Sequence, residues 1–464
     1  MAIGMSARYP FWEPILKIRY WLHTLNAIGG CLMNQQHVNL AGIGAGPFNL
    51  SVAALLQKCR NTRYAFFDKK PEFSWHSGLM LPGAKLQTSW MKDLVTPVDP
   101  TSPYSFLKFL VEKRRFYSFI NAEQSSISRQ EFAQYLDWVA QQLPAVRYNA
   151  HVREVNYQQG RFWLRFDDRI VSADHLCVGT GTQPYVPEFA VPYLGKQVLH
   201  AGGILNAKRD FTGLKVAVIG GGQTGAEIFQ ELISERWGEC ESIAWVSRRE
   251  NFDQLDEAPF TNDLFTPSYV KHFLALPQEE KQAIVARQKL ASDGISPATL
   301  KEIYQSLYHT QVVCERGRNI MMLPDRQLVS MLKQGGGYEL MLMHSGKAKE
   351  RIDADVVIFS TGFRTVIPSC LEPLAEQIQW ESDGVLSMDD NYQVNWECQD
   401  QSRIYAVNAS RHHHGIVDPQ TSLMAWRAAN IVNDLLGYEL YKLEQPGFVQ
   451  WGVLPATAKE RFVA

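Results

Sequence analysis

At 464 residues the chain has room for two to four domains with sizeable cores. Its 45% hydrophobic and 20% charged residues exclude a disordered chain, a collagen-like repeat and a multi-span membrane protein. Lysine and arginine number 46 against 48 acids, a net charge of −2, and with no long run of one sign nucleic acid is not an expected partner.

The first 32 residues read as an N-terminal extension ahead of a domain that can begin at Met33. Phe11 to Leu22 is aromatic and apolar but is broken by Glu13, Lys17 and Arg19, so it is too interrupted to span a membrane. It also lacks the clean apolar run and small-residue cleavage site of a signal peptide. A membrane-surface helix carrying Trp12, Ile15, Trp21 and Leu22 is the alternative. The seven cysteines (Cys31, Cys59, Cys177, Cys240, Cys314, Cys370, Cys398) are scattered without a CxxC pair and read as free thiols in a reducing cytoplasm.

A domain over about 33–205 opens with an apolar strand from Val38, a glycine turn and a helix: the start of a βαβ unit. Gly44 permits the tight turn, and Gly46, followed by Pro47, lets the backbone approach a pyrophosphate seated on the helix N-terminus. Asn49 stands where a third glycine is usual. The next strand, Tyr64 to Phe67, ends in Asp68, placed to accept hydrogen bonds from ribose hydroxyls. Further on, Tyr193-Leu194-Gly195-Lys196-Gln197-Val198-Leu199-His200 approximates, with one residue too many, the FxGxxxH signature of Baeyer–Villiger and amine or sulfide monooxygenases.

A second domain, about 206–365, repeats the pattern with a full GxGxxG at Gly220, Gly222 and Gly225, which encloses Gln223 and Thr224. Its second strand, Ile243 to Val246, runs into Ser247, Arg248 and Arg249. Hydroxyl and guanidinium groups replace the acid of an NAD site and suit a 2′-phosphate, hence NADPH. Each motif is followed by a strand that ends in a Thr-Gly turn, at Thr180-Gly181 and Thr361-Gly362. Within this domain, about 253–313 forms a helical insertion, expected to wall a substrate pocket. Residues 366–464 contribute a strand at Ile404 to Ala409 and a helix from Thr421 to Leu436, and complete the first domain.

The expected architecture is therefore α/β, with two Rossmann-like dinucleotide-binding domains, one for FAD and one for NADPH, and a small helical substrate region. Two such sites on one chain mean hydride transfer from nicotinamide to flavin. No dithiol is available as the next acceptor, so dioxygen or quinone remains. The alternatives are a flavin oxidase or quinone reductase without oxygen insertion, and a noncatalytic nucleotide-sensing subunit.

Together, Gly44-x-Gly46-Pro47-x-Asn49, Phe73-Ser74-Trp75-His76-Ser77-Gly78-Leu79-Met80, Leu86-Gln87-Thr88 with Lys92-Asp93-Leu94-Val95, Asp99-Pro100-Thr101-Ser102-Pro103-Tyr104-Ser105-Phe106, the GGGQTGAE segment, and His414-Gly415-Ile416 before Ser422-Leu423 resemble the microbial N-hydroxylating flavin monooxygenases of hydroxamate siderophore synthesis. The resemblance runs from about Gln36 to the C-terminus. It implies a cytoplasmic enzyme using FAD, NADPH and O2, in which a flavin C4a-hydroperoxide oxygenates a small aliphatic amine. It places Trp75, His76, Gln87, His414, Gly415, Ser422 and Leu423 at the cofactors, Gln87 and Lys92 beside flavin and nicotinamide, and Asn262 on substrate or cofactor. Self-association is left open.

An aliphatic ammonium is not nucleophilic, and bringing its pKa from about 10.4 to about 7.5 takes about 4 kcal/mol of desolvation or like-charge repulsion, to which Lys92 can contribute. His412, His413 and His414 point alternately along an extended chain and are not expected to bind a metal. Ser292-Asp293-Gly294-Ile295 resembles the lysine and diamine enzymes rather than the ornithine enzymes. The run Arg411 to Gln420 resembles the diamine enzymes, and Asp293 or Asp418 offers a partner for a distal ammonium. The expected substrate is therefore putrescine or cadaverine, with lysine and then ornithine as alternatives.

Overall fold

The structure, a computed structural model, describes residues 36–453 apart from 125, 207–209 and 383. The N-terminal extension and its membrane-surface reading lie outside the described residues.

Strand β1 (Gln36–Ile43) is apolar on both faces over its second half, as a central parallel strand must be. It leads through the first glycine turn into α1 (Pro47–Leu56), buried along nearly its whole length. Strand β2 (Tyr64–Phe67) pairs parallel to β1. Helix α2 (Arg129–Gln142) is capped by the Ser128 hydroxyl, which accepts from the Glu131 amide. Strands β3 (Val146–Arg147), β4 (Glu154–Gln158), β5 (Arg161–Arg165) and β6 (Ile170–Val178) complete a sheet of order β3-β2-β1-β6-β5-β4. Strand Ile404–Ala406 joins it parallel to β6.

Two crossings join this sheet to the second. They run side by side as an antiparallel ribbon of β7 (Thr182–Pro184) and a later strand, Phe363–Thr365. The second sheet holds β8 (Val198–His200), β9 (Lys215–Ile219), β10 (Ser242–Val246), β11 (Asn319–Leu323) and a returning strand Val356–Phe359. All its pairings are parallel. Because β8 belongs to this sheet, the second unit takes up chain before residue 206. His200, the end of the approximate FxGxxxH run, is tied down there: its Nε2 lies 2.9 Å from the Gly362 carbonyl and its Nδ1 accepts from the Gly202 amide.

Helix α3 (Gln223–Ile233) follows the second glycine turn. The insertion is helical, with α4 (Pro267–Leu274), α5 (Gln278–Arg287), α6 (Lys289–Asp293) and α7 (Pro297–Leu307). An antiparallel meander that the sequence pattern does not announce follows β11: β12 (Arg326–Gln334), β13 (Gly337–His344) and β14 (Ala348–Ala354). Its Leu328, Met331, Leu340 and Leu342 pack with Ala217, Ile219, Ala244 and Val246 of the parallel sheet. Near the C-terminus, α8 (Arg411–His414) and α9 (Met424–Leu436) carry the last motif, and α9 packs against α1.

Candidate active site

The first glycine turn is built for an open pocket. Gly44 has φ +91, and a Cβ there would lie 2.4 Å from the Gly179 carbonyl oxygen, so the turn demands glycine on conformation and on space. A Cβ on Gly46 would meet nothing within 4 Å: this glycine faces an opening at the N-terminus of α1, where an anion gains most from free N–H groups. Asn49, 1% exposed, does the opposite of the small residue it replaces. Its Nδ2 donates to Gly44 O at 2.7 Å and to Ile43 O at 3.3 Å, and its Oδ1 accepts from the Cys177 thiol. Gly179 makes room for it, since a Cβ there would sit 2.6 Å from the Asn49 amide. Asp68 uses one lone pair of each carboxylate oxygen on the local backbone, accepting from Ala45 N and Lys70 N, which leaves further lone pairs unused.

The second turn repeats this logic. Gly220, at φ +136, lies against the Ser360 carbonyl, while Gly222 opens outward at the N-terminus of α3, where a Cβ would find its nearest neighbour 4.0 Å away. Gly225 fits under the Gly220 carbonyl and beside the Trp245 indole, which donates to Gly220 O at 2.9 Å. Thr224 is half-buried, and its side chain has no polar partner among the described residues. Ser247 is buried against Gly221, and its Oγ accepts from the Arg249 amide. Arg249 donates to Gly221 O at 3.3 Å and to Asp293 O at 2.8 Å, so its fork is fixed at the mouth of the turn. Arg248 is exposed, with no polar partner among the described residues.

Between the turns, Gln87 spans the domains, its Nε2 3.5 Å from Gln223 Oε1 and 3.4 Å from Gly294 O. Gln223 in turn donates to Glu227 and Thr299 and accepts from the Ser296 amide. Trp75 packs edge-on against Phe132 and His76. His76 is accessible yet surrounded by protein, as in a deep cleft. Burial first, then Arg129 and Lys70, lower its pKa to about 4, so the ring is neutral at pH 7. Lys92 is partly buried without an acidic partner among the described residues, and desolvation lowers its pKa.

The last motif closes the first domain. The three histidines sit on the short helix α8 rather than on an extended chain: His412 lies toward Glu381, while His413 and His414 are in edge-on contact and both reach Asp390, His414 also stacking on Tyr392 at 3.9 Å. Gly415 has φ +80 and a Cβ there would touch Phe273 of α4. Ser422 and Leu423 are buried just ahead of α9. Buried polar atoms with no hydrogen-bond partner concentrate in this stretch: Ser410 Oγ, His414 Nδ1, Asp418 Oδ1, Ser422 Oγ and the Arg427 Nε and Nη1. Buried polar groups are normally satisfied, so these, with the open cradle at Gly46, fit a polar group such as FAD. Arg427 was not singled out from sequence, although a lone arginine in the apolar run of α9 is a signal. It is 1% exposed, donates to Val417 O and Asp418 O, and lies between Phe48 and Tyr392.

The loop Ser292-Asp293-Gly294-Ile295 is where these parts meet. Arg411 Nη2 bonds Asp293 Oδ2 at 3.2 Å and Ser292 Oγ at 3.3 Å, and Gln420 reaches Ser292 O. A Cβ on Gly294 would lie 2.3 Å from Leu255 Cα. Two expectations change here. Asp418 cannot meet a distal ammonium, because it is 1% exposed, accepts from Ser410 N and pairs with Arg427. Asp293 is already paired with Arg411. Asn262 ends a short helix, Pro259–Asn262; it is exposed, and its side-chain amide donates to Glu257 O. A cavity of about 520 Å³ is lined by Arg411 and His412 with Val285 and Ala286 of α5, Ile367 and Leu386.

The sequence profile of the L-lysine 6-monooxygenase/L-ornithine 5-monooxygenase family matches residues 36–365. The chain belongs to this family. It is 38% identical over 421 residues to the L-lysine N6-monooxygenase of Escherichia coli, covering 90% of this chain and 99% of that protein. It is 32% identical to a putrescine N-hydroxylase of Acinetobacter baumannii over 89% of this chain and 93% of that one. Among solved structures, the FAD-bound cadaverine monooxygenase DfoA of Erwinia amylovora superimposes with a TM-score of 0.85 at 29% identity, covering 92% of this chain and all of the other. An ornithine N-hydroxylase of Kutzneria, with reduced FAD, NADP⁺ and L-ornithine, superimposes at 0.79 with 26% identity over 86% and 99% of the two chains. This monooxygenase is thus an NADPH-dependent flavoprotein of the N-hydroxylating siderophore-biosynthesis group, with FAD and NADPH as cofactors.

Proposed function

We propose that the chain hydroxylates the side-chain amine of L-lysine. The observation that carries the choice is the Arg411–Asp293 pair at the junction of the flavin half, the nicotinamide half and the insertion. A neutral cation–anion pair is complementary to a zwitterionic head, carboxylate to arginine and ammonium to aspartate, whereas a diamine's second ammonium needs an acid not already neutralised. The apolar wall of Val285, Ala286, Ile367 and Leu386 beside Arg411 suits a tetramethylene chain. The 38% identity to a lysine enzyme supports the same choice.

On this reading Gly46 and the 410–427 stretch would hold FAD, and Gly222, Ser247, Arg248 and Arg249 would hold NADPH. When bound, NADPH supplies two electrons and the flavin activates O2. The chain's own task is to present a neutral amine. Burial lowers the pKa of Lys92, and desolvation of the same kind would lower the pKa of a substrate amine held beside it. The neutral His76 adds no positive charge but offers a hydrogen-bond acceptor.

A second reading, cadaverine, is favoured by the overlay with DfoA at TM-score 0.85. NADPH oxidation measured together with hydroxylamine formation separates the two. The expected result is product from lysine in excess of product from cadaverine, with Arg411→Ala raising KM for lysine and, because it frees Asp293, lowering KM for cadaverine. Robust product from cadaverine but not from lysine overturns the proposal. No helix among the described residues is long and apolar enough to cross a membrane.

A further inference from the structure

We propose that Arg129 and Glu227 form the contact that sets the angle between the flavin half and the nicotinamide half, and that they act as positioning residues for electron transfer between the cofactors.

Arg129 opens α2 of the first domain, and Glu227 lies one turn into α3, the helix that starts at the second glycine turn. Their side chains meet in a two-pronged bond, Nη1 to Oε2 at 2.9 Å and Nη2 to Oε1 at 2.8 Å, with 17% and 7% side-chain exposure. Such a fork fixes orientation as well as distance. Both partners are rigidly mounted. The Arg129 amide donates to Ala84 O, and Leu86 N donates to Ile127 O, so the arginine is braced against the segment that carries Gln87. Glu227 also accepts from Gln223, which holds Ser296 N and Thr299 of the insertion.

The belt Arg129–Glu227–Gln223–Gln87 therefore links the flavin half, the N-terminus of the nicotinamide helix and the substrate insertion through a few short contacts. A buried ion pair is a poor source of stability, because desolvating two charges offsets most of their attraction. Its use in fixing one geometry among alternatives is better attested, and a junction between two separately built sheets is where such a device matters. Outside this belt the chain crosses between the sheets through the thin ribbon of β7 and Phe363–Thr365, and Leu79, Leu81 and Ala84 of the first domain share a core with Ala201, Ile204 and Phe211 of the second, apolar packing that holds the halves together without directional preference.

The test uses the FAD-loaded protein. Arg129→Gln and Glu227→Gln each leave one buried group unpaired, so the double variant Arg129→Gln/Glu227→Gln, with no orphan charge, is made beside them, together with the exchanged pair Arg129→Glu/Glu227→Arg. Expected for the neutral double variant are an NADP⁺ dissociation constant within threefold of the parent, at least a tenfold slower reduction of bound FAD by NADPH, a fall in hydroxylamine formed per NADPH, and a changed small-angle scattering profile. The exchanged pair recovers part of the reduction rate. An unchanged reduction rate and scattering profile in the neutral double variant overturns the proposal. So does loss of bound FAD with a collapse of the melting temperature, since that marks a purely structural pair.

Discussion

Arg248 and Arg249 sit at neighbouring positions after β10, yet the structure gives them different duties, and this separates their effects on coenzyme choice. Arg249 spends two donors on Gly221 O and Asp293 O, and so braces the turn and the loop on which the substrate insertion hangs. Arg248 is exposed and uncommitted among the described residues. A hydrogen bond to a charged group is worth about 1.5–3 kcal/mol, or roughly 10- to 160-fold in affinity, and solvent screening puts an exposed arginine at the lower end. Arg248→Ala should therefore raise KM for NADPH about tenfold at low salt, raise it less at high salt, and leave KM for NADH unchanged, because NADH has no 2′-phosphate to lose. Arg249→Ala should weaken both coenzymes and also lower coupling to hydroxylation, because the Asp293 loop is freed. Steady-state kinetics with both coenzymes at two ionic strengths measures this. An equal loss for NADH and NADPH in Arg248→Ala would refute the assignment of the phosphate contact.

Asn49 and Gly179 are expected to be coupled. Asn49→Ala removes the donor from the partly buried Gly44 carbonyl and the buried Ile43 carbonyl, at a cost of about 1–3 kcal/mol, and should loosen the first turn; FAD retained after gel filtration measures it. Gly179→Ala drives a Cβ to 2.6 Å from the Asn49 amide, so Gly179→Ala/Asn49→Gly should retain more FAD than Gly179→Ala alone. The histidines give an acid limit. Burial lowers the pKa of His76 to about 4 and that of His414 well below its usual value, so between about 6.5 and 4 the unfolded chain binds protons that the folded chain refuses. The stability is whole above pH 6.5 and falls as the pH drops toward 4. The melting temperature should fall over that window, and less steeply in His414→Gln; a parallel fall in both proteins would show that His414 carries none of it.

Both glycine turns, their strands and the returning C-terminal strand were legible because they rest on local rules: a positive φ at Gly44 and Gly220, and apolar runs of strand length. Asn49 was legible as an anomaly, but not its role, which needs Gly179 and Cys177, the latter 128 residues away in sequence. The meander β12–β14 was missed because its alternation is irregular: Ser330 and Met331 follow a register shift, and exposed Leu332 interrupts the apolar face. The partners of Asp293 and Asp418 were out of reach for the same reason as Asn49's. Sequence could place an acid near the site, yet only the fold shows whether its charge is free, and here Arg411 and Arg427 had already taken both. Substrate choice in such a cleft thus depends less on which charged residues are present than on which of them remain unpaired after folding. That is why a pair, rather than a lone acid, argues for a zwitterion over a diamine.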